Sequence, residues 1–202
     1  MKKVSLFLAC FQVLLAASPQ ESLERLIEGN RHYVEDNLRS LDRSSYRREE
    51  LLLKQNPFAV IVGCSDSRVP PEIIFDQGLG DLFVVRVAGQ VAGPIELDSI
   101  DYAIQVLGAS LVVVLGHESC GAVKAVLSGN TAGIEEIARL IKPALRGVKP
   151  ADLEMAVKEN VKWTISYLKS TPIIKKMVKE GKLAVIGGYY NLSDGHVEIL
   201  HK

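Results

Sequence analysis

The 202-residue sequence has no excess charge of either sign: Lys plus Arg number 24 and Asp plus Glu 24, for a formal net charge of zero. Proteins that grip nucleic acid usually carry a basic face, so nothing electrostatic argues for that partner. Cysteine is scarce, with three residues, too few for the multi-bridge framework of a small disulfide-held domain. No repeat, low-complexity tract or long run of like charge interrupts the chain, which leaves no sign of a repeat array or a disordered tail. The one long uncharged apolar run, Val4 to Ala17, falls short of the roughly 20 residues that span a bilayer comfortably.

That run has its own meaning. It follows a basic start, Met1-Lys2-Lys3, and ends in the small residues Ala16, Ala17 and Ser18, which is the pattern of a secretory signal peptide. The alternative is an apolar N-terminal helix docking on a partner subunit. On the first reading residues 1–17 are removed, residues 18–202 form the mature protein, and the location is periplasmic or secreted with no stable membrane anchor. Without cleavage it is cytoplasmic. The whole chain is 48% hydrophobic and 24% charged, as in a soluble globular protein, and is long enough for one domain with a hydrophobic core.

Ser18-Pro19-Gln20-Glu21 has the form of a capping box with Pro at the first helical position. Apolar residues at helical spacing predict an N-terminal helical arm from about Gln20 to Glu35, and a second short helix over Arg47 to Lys54. Four apolar runs follow, Phe58–Val62, Asp81–Val87, Leu111–Leu115 and Leu183–Gly187, of the kind that forms strands buried on both faces of a mainly parallel sheet. Helical patterns lie between them: Ile95 to Leu107, Cys120 to Leu127, Leu153 to Leu168 and Pro172 to Lys179. Tyr189 through Leu200 reads as a hairpin turning at Ser193-Asp194-Gly195. The fold class expected is therefore α/β: a mainly parallel central sheet flanked by helices, with an antiparallel edge strand at the C-terminus.

Ligands of such folds bind beyond the carboxyl ends of the strands. Cys64 follows the first strand, and His117 and Cys120 follow the third. Two cysteines in an oxidising compartment could pair, or a metal could hold both as thiolates. Two sulfurs and an imidazole suit Zn²⁺, one ion per chain, bound at about 2.0–2.3 Å. Three protein ligands leave a fourth position for water, whose pKa falls to about 7, supplying hydroxide at neutral pH. Cys64 is followed by Ser65-Asp66-Ser67-Arg68. Arg68 can hold Asp66 ionised through a charge-assisted pair. Beside a metal, Asp66 could accept a hydrogen bond from bound water, or displace that water and become a fourth ligand. The plain alternative is a surface ion pair, worth little.

The segment CSDSRVPPEIIFDQGLGDLFVVRVAG at Cys64 to Gly89, with LGHESCGAVKA at Leu115 to Ala125, resembles the β class of carbonic anhydrases. The pairing of CSDSR with GHxxCG at this separation is highly specific. The resemblance runs from SLERLIEGNRHYV to VIGGYYNLSDGHV. It implies interconversion of carbon dioxide and bicarbonate, zinc on Cys64, His117 and Cys120, and Asp66–Arg68 as a catalytic dyad. It implies a homodimer, or a homotetramer built from dimers, with each active-site channel at a subunit interface. Gln55 stands nine residues before Cys64, where many members place a Gln that hydrogen-bonds the substrate. The bicarbonate-inhibited branch tends to have Trp where this chain has Ile61, so the chain resembles the non-allosteric branch. Gln90 departs from the family's frequent Asn.

Three other readings share these residues. Enzymes that hydrolyse carbon disulfide or carbonyl sulfide resemble this scaffold. A non-enzymatic zinc protein would keep Asp66 as a permanent fourth ligand. A redox protein would join Cys64 to Cys120.

Overall fold

The computed structural model describes residues 17–39 and 43–201. Apart from Ala17, the expected signal segment lies outside the described residues.

Helix α1 (Pro19–Val34) starts where the sequence places it. The Ser18 hydroxyl accepts from the Glu21 backbone N–H, and the Glu21 carboxylate reaches back to the Ser18 N–H, so two orphan donors of the first turn are satisfied. Helix α2 (Ser45–Glu50) is shorter and earlier than the expected Arg47–Lys54. Ser44 caps it at Arg47, and none of its residues is buried. Leu52 and Leu53 beyond it are exposed, so no apolar contact extends the helix.

The central sheet has five strands in the order β2-β1-β3-β4-β5. Strands β1 (Ala59–Gly63), β2 (Leu82–Arg86), β3 (Leu111–His117) and β4 (Ala184–Tyr190) are parallel. Strand β5 (Val197–His201) runs antiparallel to β4, the edge hairpin expected from Ser193-Asp194-Gly195. The crossovers carry α3 (Pro71–Ile74), α4 (Pro94–Gln105), α5 (Gly121–Leu127), α6 (Glu135–Ile141), α7 (Leu153–Ser170) and α8 (Pro172–Lys179). The sequence reading missed α3 and α6, whose four and seven residues are too few to show a helical period.

Strands β1, β3 and β4 are buried on both faces because they alternate between two cores, whereas β2 at the edge is only half-buried. Ala59, Ile61, Leu111, Val113 and Ile186 face one side with Leu23 and Leu26 of α1. Val60, Val62, Val112, Val114 and Val185 face the other, with Ile100 and Ile104 of α4 and Val161 and Leu168 of α7. Helix α1 comes so close to the chain after α3 that a Cβ on Gly29 would stand 1.8 Å from the Phe75 carbonyl oxygen. Among the described residues no helix is long and apolar enough to cross a membrane.

Candidate metal centre

Strands β1 and β3 pair side by side, with Gly63 opposite Leu115, so their carboxyl ends finish together. Cys64 is the first residue beyond β1, His117 is the last of β3, and Cys120 is the N-cap position of α5. The two positions after His117 turn the chain sharply, with Ser119 in the left-handed region at φ 57°. That turn brings Cys120 back toward His117. The sulfur and nitrogen ligand atoms of Cys64, His117 and Cys120 all lie within 4.8 Å of one another, and all three residues are buried.

Burial of such groups needs a reason. The Nδ1 of His117 is 2.8 Å from the Glu118 carbonyl oxygen. A carbonyl can only accept, so Nδ1 carries the proton and Nε2 presents its lone pair. That Nε2 is buried and has no hydrogen-bond partner. Cys64 and Cys120 are both free thiols, which speaks against the disulfide reading. Around a tetrahedral ion with bonds of about 2.0–2.3 Å, ligand atoms stand roughly 3.3–3.8 Å apart. The close S, S, N set with an orphaned imidazole nitrogen fits zinc.

The sulfurs influence each other strongly. A hydrogen bond from Cys120 lowers the Cys64 thiol well below the usual thiol range, against its burial, with further help from nearby His117 and from the backbone N–H of Gly89. The same contact pushes Cys120 up. Burial lowers His117, but the closeness and charge of the Cys64 thiolate outweigh it and raise it. The sulfur pair thus favours one shared negative charge where a cation would be received.

Asp66 and Arg68 lie beside this group. Arg68 donates to the Asp66 carboxylate from its backbone N, Nε and Nη2 at 3.0, 2.9 and 2.7 Å. This holds the carboxyl well below the usual carboxylate range, mainly through the Arg68 side chain. The Asp66 Oδ2 is 3.9 Å from His117 Nε2, so the carboxylate borders the metal position while committed to Arg68.

Three further side chains build the site, and sequence reasoning missed them. Arg86, at the end of β2, donates to the Cys64 and Asp66 carbonyls at 2.8 and 2.6 Å. Glu118 accepts from the Leu192 backbone at 2.9 Å, tying the turn after His117 to the chain beyond β4. Asn160 of α7 donates to the Gly89 carbonyl at 2.8 Å, and the Gly89 N–H donates to Cys64 Sγ at 3.2 Å. A charge closing the apolar run of β2 was the one visible signal, since strand ends are where ligands gather.

Gln55 is not brought to this site. It precedes β1, in a cleft with Leu52, Tyr102, Gln105 and Val106, at the amino end of the strands. Cys64 is at the carboxyl end, and the five residues of β1 between them extend roughly 16 Å. Gln55 therefore lies away from the Cys64 site of its own chain.

A parallel α/β sheet with a thiolate–imidazole centre and a carboxylate–guanidinium pair at its carboxyl edge defines a metal-dependent enzyme class. The family model for carbonic anhydrase matches residues 59–197. A carbonic anhydrase of Mycolicibacterium smegmatis is 39% identical over 194 residues, covering 91% of this chain and 94% of the relative. Among solved structures, the β-carbonic anhydrase CcaA superposes with a TM-score of 0.67 at 28% identity, covering 89% of this chain and 92% of that one. A Sordaria macrospora β-carbonic anhydrase, described as tetrameric, has the same fold, with a TM-score of 0.71 at 22% identity, covering 89% of this chain and 96% of that one. The chain belongs to the β-carbonic anhydrase family.

Proposed function

We propose that this protein is a zinc-dependent carbonic anhydrase that converts carbon dioxide and water reversibly to bicarbonate and a proton. The observation that carries the reading is the meeting of Cys64, His117 and Cys120 beside the Asp66–Arg68 pair. The three first-named residues would hold one zinc ion per chain. When bound, zinc lowers the pKa of a coordinated water to about 7 and so supplies a nucleophile at neutral pH.

The protein's own groups do the rest. His117 presents Nε2 because Glu118 fixes its tautomer. Asp66, kept ionised by Arg68, offers Oδ2 as a hydrogen-bond acceptor at the edge of the site and orients the attacking oxygen. Arg68 also restrains Asp66 from moving onto the metal as a fourth ligand. Oδ1 accepts two of the three Arg68 bonds and Oδ2 only one, which leaves Oδ2 a lone pair for this task.

We infer further that the chain works as a homodimer or homotetramer. Gln55 is supported as a substrate contact only if a second copy carries it to the metal. The exposed apolar residues around it, Leu52, Leu53, Tyr102 and Val106, favour burial there against another subunit. The presence of Ile61 in place of Trp favours the non-allosteric branch. Residues 18–202 are proposed as the catalytic domain and residues 1–17 as an export signal, giving a periplasmic or secreted enzyme. Support for this is the basic start, the apolar run and the helix cap at Ser18. Mass spectrometry of the native N-terminus checks it, and an intact Met1 on cytoplasmic protein would contradict it.

Elemental analysis of the purified protein should find one zinc per chain. Cys64→Ala, His117→Ala and Cys120→Ala should each lose zinc and activity together, since two protein ligands hold the ion poorly. Active protein without metal would refute the reading.

A further inference from the structure

The turn Ala88–Gln90 runs behind the metal centre in an unusual conformation. Gly89 and Gln90 are both left-handed, at φ 77° and 44°. Glycine is required at the first: a Cβ there would meet Ile141 at 2.8 Å and Ala122 at 3.3 Å. Gln90 has no such freedom, and its conformation persists only if the surroundings impose it. Inside the turn, the Gln90 N–H donates to the Val87 carbonyl at 2.9 Å.

What else imposes it is a buried amide on α7. Apart from Thr164, the rest of the inward face of that helix is apolar, with Ala156, Val157, Val161, Ile165 and Leu168. Asn160 lies among them with no exposed surface. Its Nδ2 donates to the Gly89 carbonyl at 2.8 Å, an assignment set by the acceptor, which leaves only the amide nitrogen able to face it. Its Oδ1 is buried without a hydrogen-bond partner, as are both amide atoms of Gln90. A buried amide with an unmet oxygen is destabilising relative to an apolar residue of the same shape. The one bond Asn160 makes must therefore count for more than packing. That bond ends on the residue whose N–H meets Cys64 Sγ at 3.2 Å.

We propose that Asn160 is a positioning residue of the metal centre: by holding the Gly89 carbonyl it aims the Gly89 N–H at the Cys64 sulfur and so tunes that sulfur as a metal ligand. A hydrogen bond to a ligand sulfur draws electron density from it and fixes its direction, and outer partners of this kind change metal affinity by about 10- to 100-fold. The inference rests on the zinc reading above and goes beyond it, because Asn160 lies outside the set of residues that could touch the ion.

The test uses the full-length metal-loaded enzyme. Asn160→Leu keeps the shape and removes the donor; Asn160→Ser keeps polarity and loses the reach. Both should release zinc to a chelator about 10- to 100-fold faster than wild type, and with Co²⁺ in place of zinc both should shift the sulfur-to-metal charge-transfer band. Folded variants that release zinc at the wild-type rate with an unmoved band would overturn the proposal. Should neither variant fold, wild-type protein loaded with ¹¹³Cd decides: scalar coupling between the metal and the Gly89 amide proton is expected, and its absence overturns the proposal. Wild-type protein that binds none of these metals would instead refute the zinc reading itself.

Discussion

Arg86 offers a direct link between the fold and the site. Its guanidinium closes β2 and donates to the carbonyls of Cys64 and Asp66 at 2.8 and 2.6 Å, so one side chain pins the short loop that carries both residues. Arg86→Met keeps much of the stem and removes both donors. A hydrogen bond to a charged group contributes about 1.5–3 kcal/mol, so two amount to about 3–6 kcal/mol. Arg86 is only half-buried, and water can recover part of this, which brings the expected loss to about 2–4 kcal/mol. Set against the 5–15 kcal/mol typical of a domain, that loss should lower the urea midpoint by about 1 M, measured at fixed protein concentration because subunit association would add to apparent stability. Zinc retention should fall with it. Arg86→Lys can restore one of the two bonds and should fall between. An Arg86→Met protein with the wild-type midpoint and full zinc content would refute the argument that this side chain holds the loop.

Asp66→Asn should retain zinc, because three ligands remain, yet lower kcat/KM by about 10²- to 10⁴-fold, the usual contribution of a positioned acid–base group; wild-type turnover would remove Asp66 from the mechanism. Arg68→Met should also lose activity with zinc retained, but X-ray absorption should find the Asp66 carboxylate in place of water as fourth ligand, which the Asp66→Asn variant lacks. Gly29→Ala should cost about 1–3 kcal/mol or more, since the new Cβ would stand 1.8 Å from the Phe75 carbonyl oxygen; the same urea titration reads it. Glu28 of α1 is lowered to about 2, first by its hydrogen bond with Arg31. Its folded value lies below its unfolded one near 4.3, so its contribution to stability is present above that pH and is lost as pH falls toward 2. Glu28→Gln should therefore flatten the acid limb of the stability profile between about pH 4 and 2, and an unchanged limb would contradict the pairing.

The strands were legible because burial on both faces demands unbroken apolar runs, and the candidate metal ligands were legible because they punctuate the ends of two such runs. Strand β3 nonetheless extends to His117, past the expected end at Leu115. Gly116 and His117 pair with Tyr189 and Tyr190, and a partner strand decides where pairing stops. The supports of the site were hidden for a different reason. Arg86 meets Cys64 across 22 positions, and Asn160 meets Gly89 across 71. No local pattern encodes a contact between a helix and a turn so far apart. Asn160 in particular reads as a polar interruption of an apolar helix face until the Gly89 carbonyl beside it is seen. Gln55 shows the limit in the other direction: the family resemblance implies a substrate contact, whereas an extended strand carries Gln55 and Cys64 to opposite ends of β1.

The central claim is tested most directly by stripping the purified protein of metal and following carbon dioxide hydration by stopped flow as zinc is returned. The account predicts no catalysis at zero zinc, a linear rise in rate, and a plateau at one equivalent per chain. Protein that takes up one zinc on Cys64, His117 and Cys120 without accelerating hydration, or that hydrates carbon dioxide fully while metal-free, would contradict it.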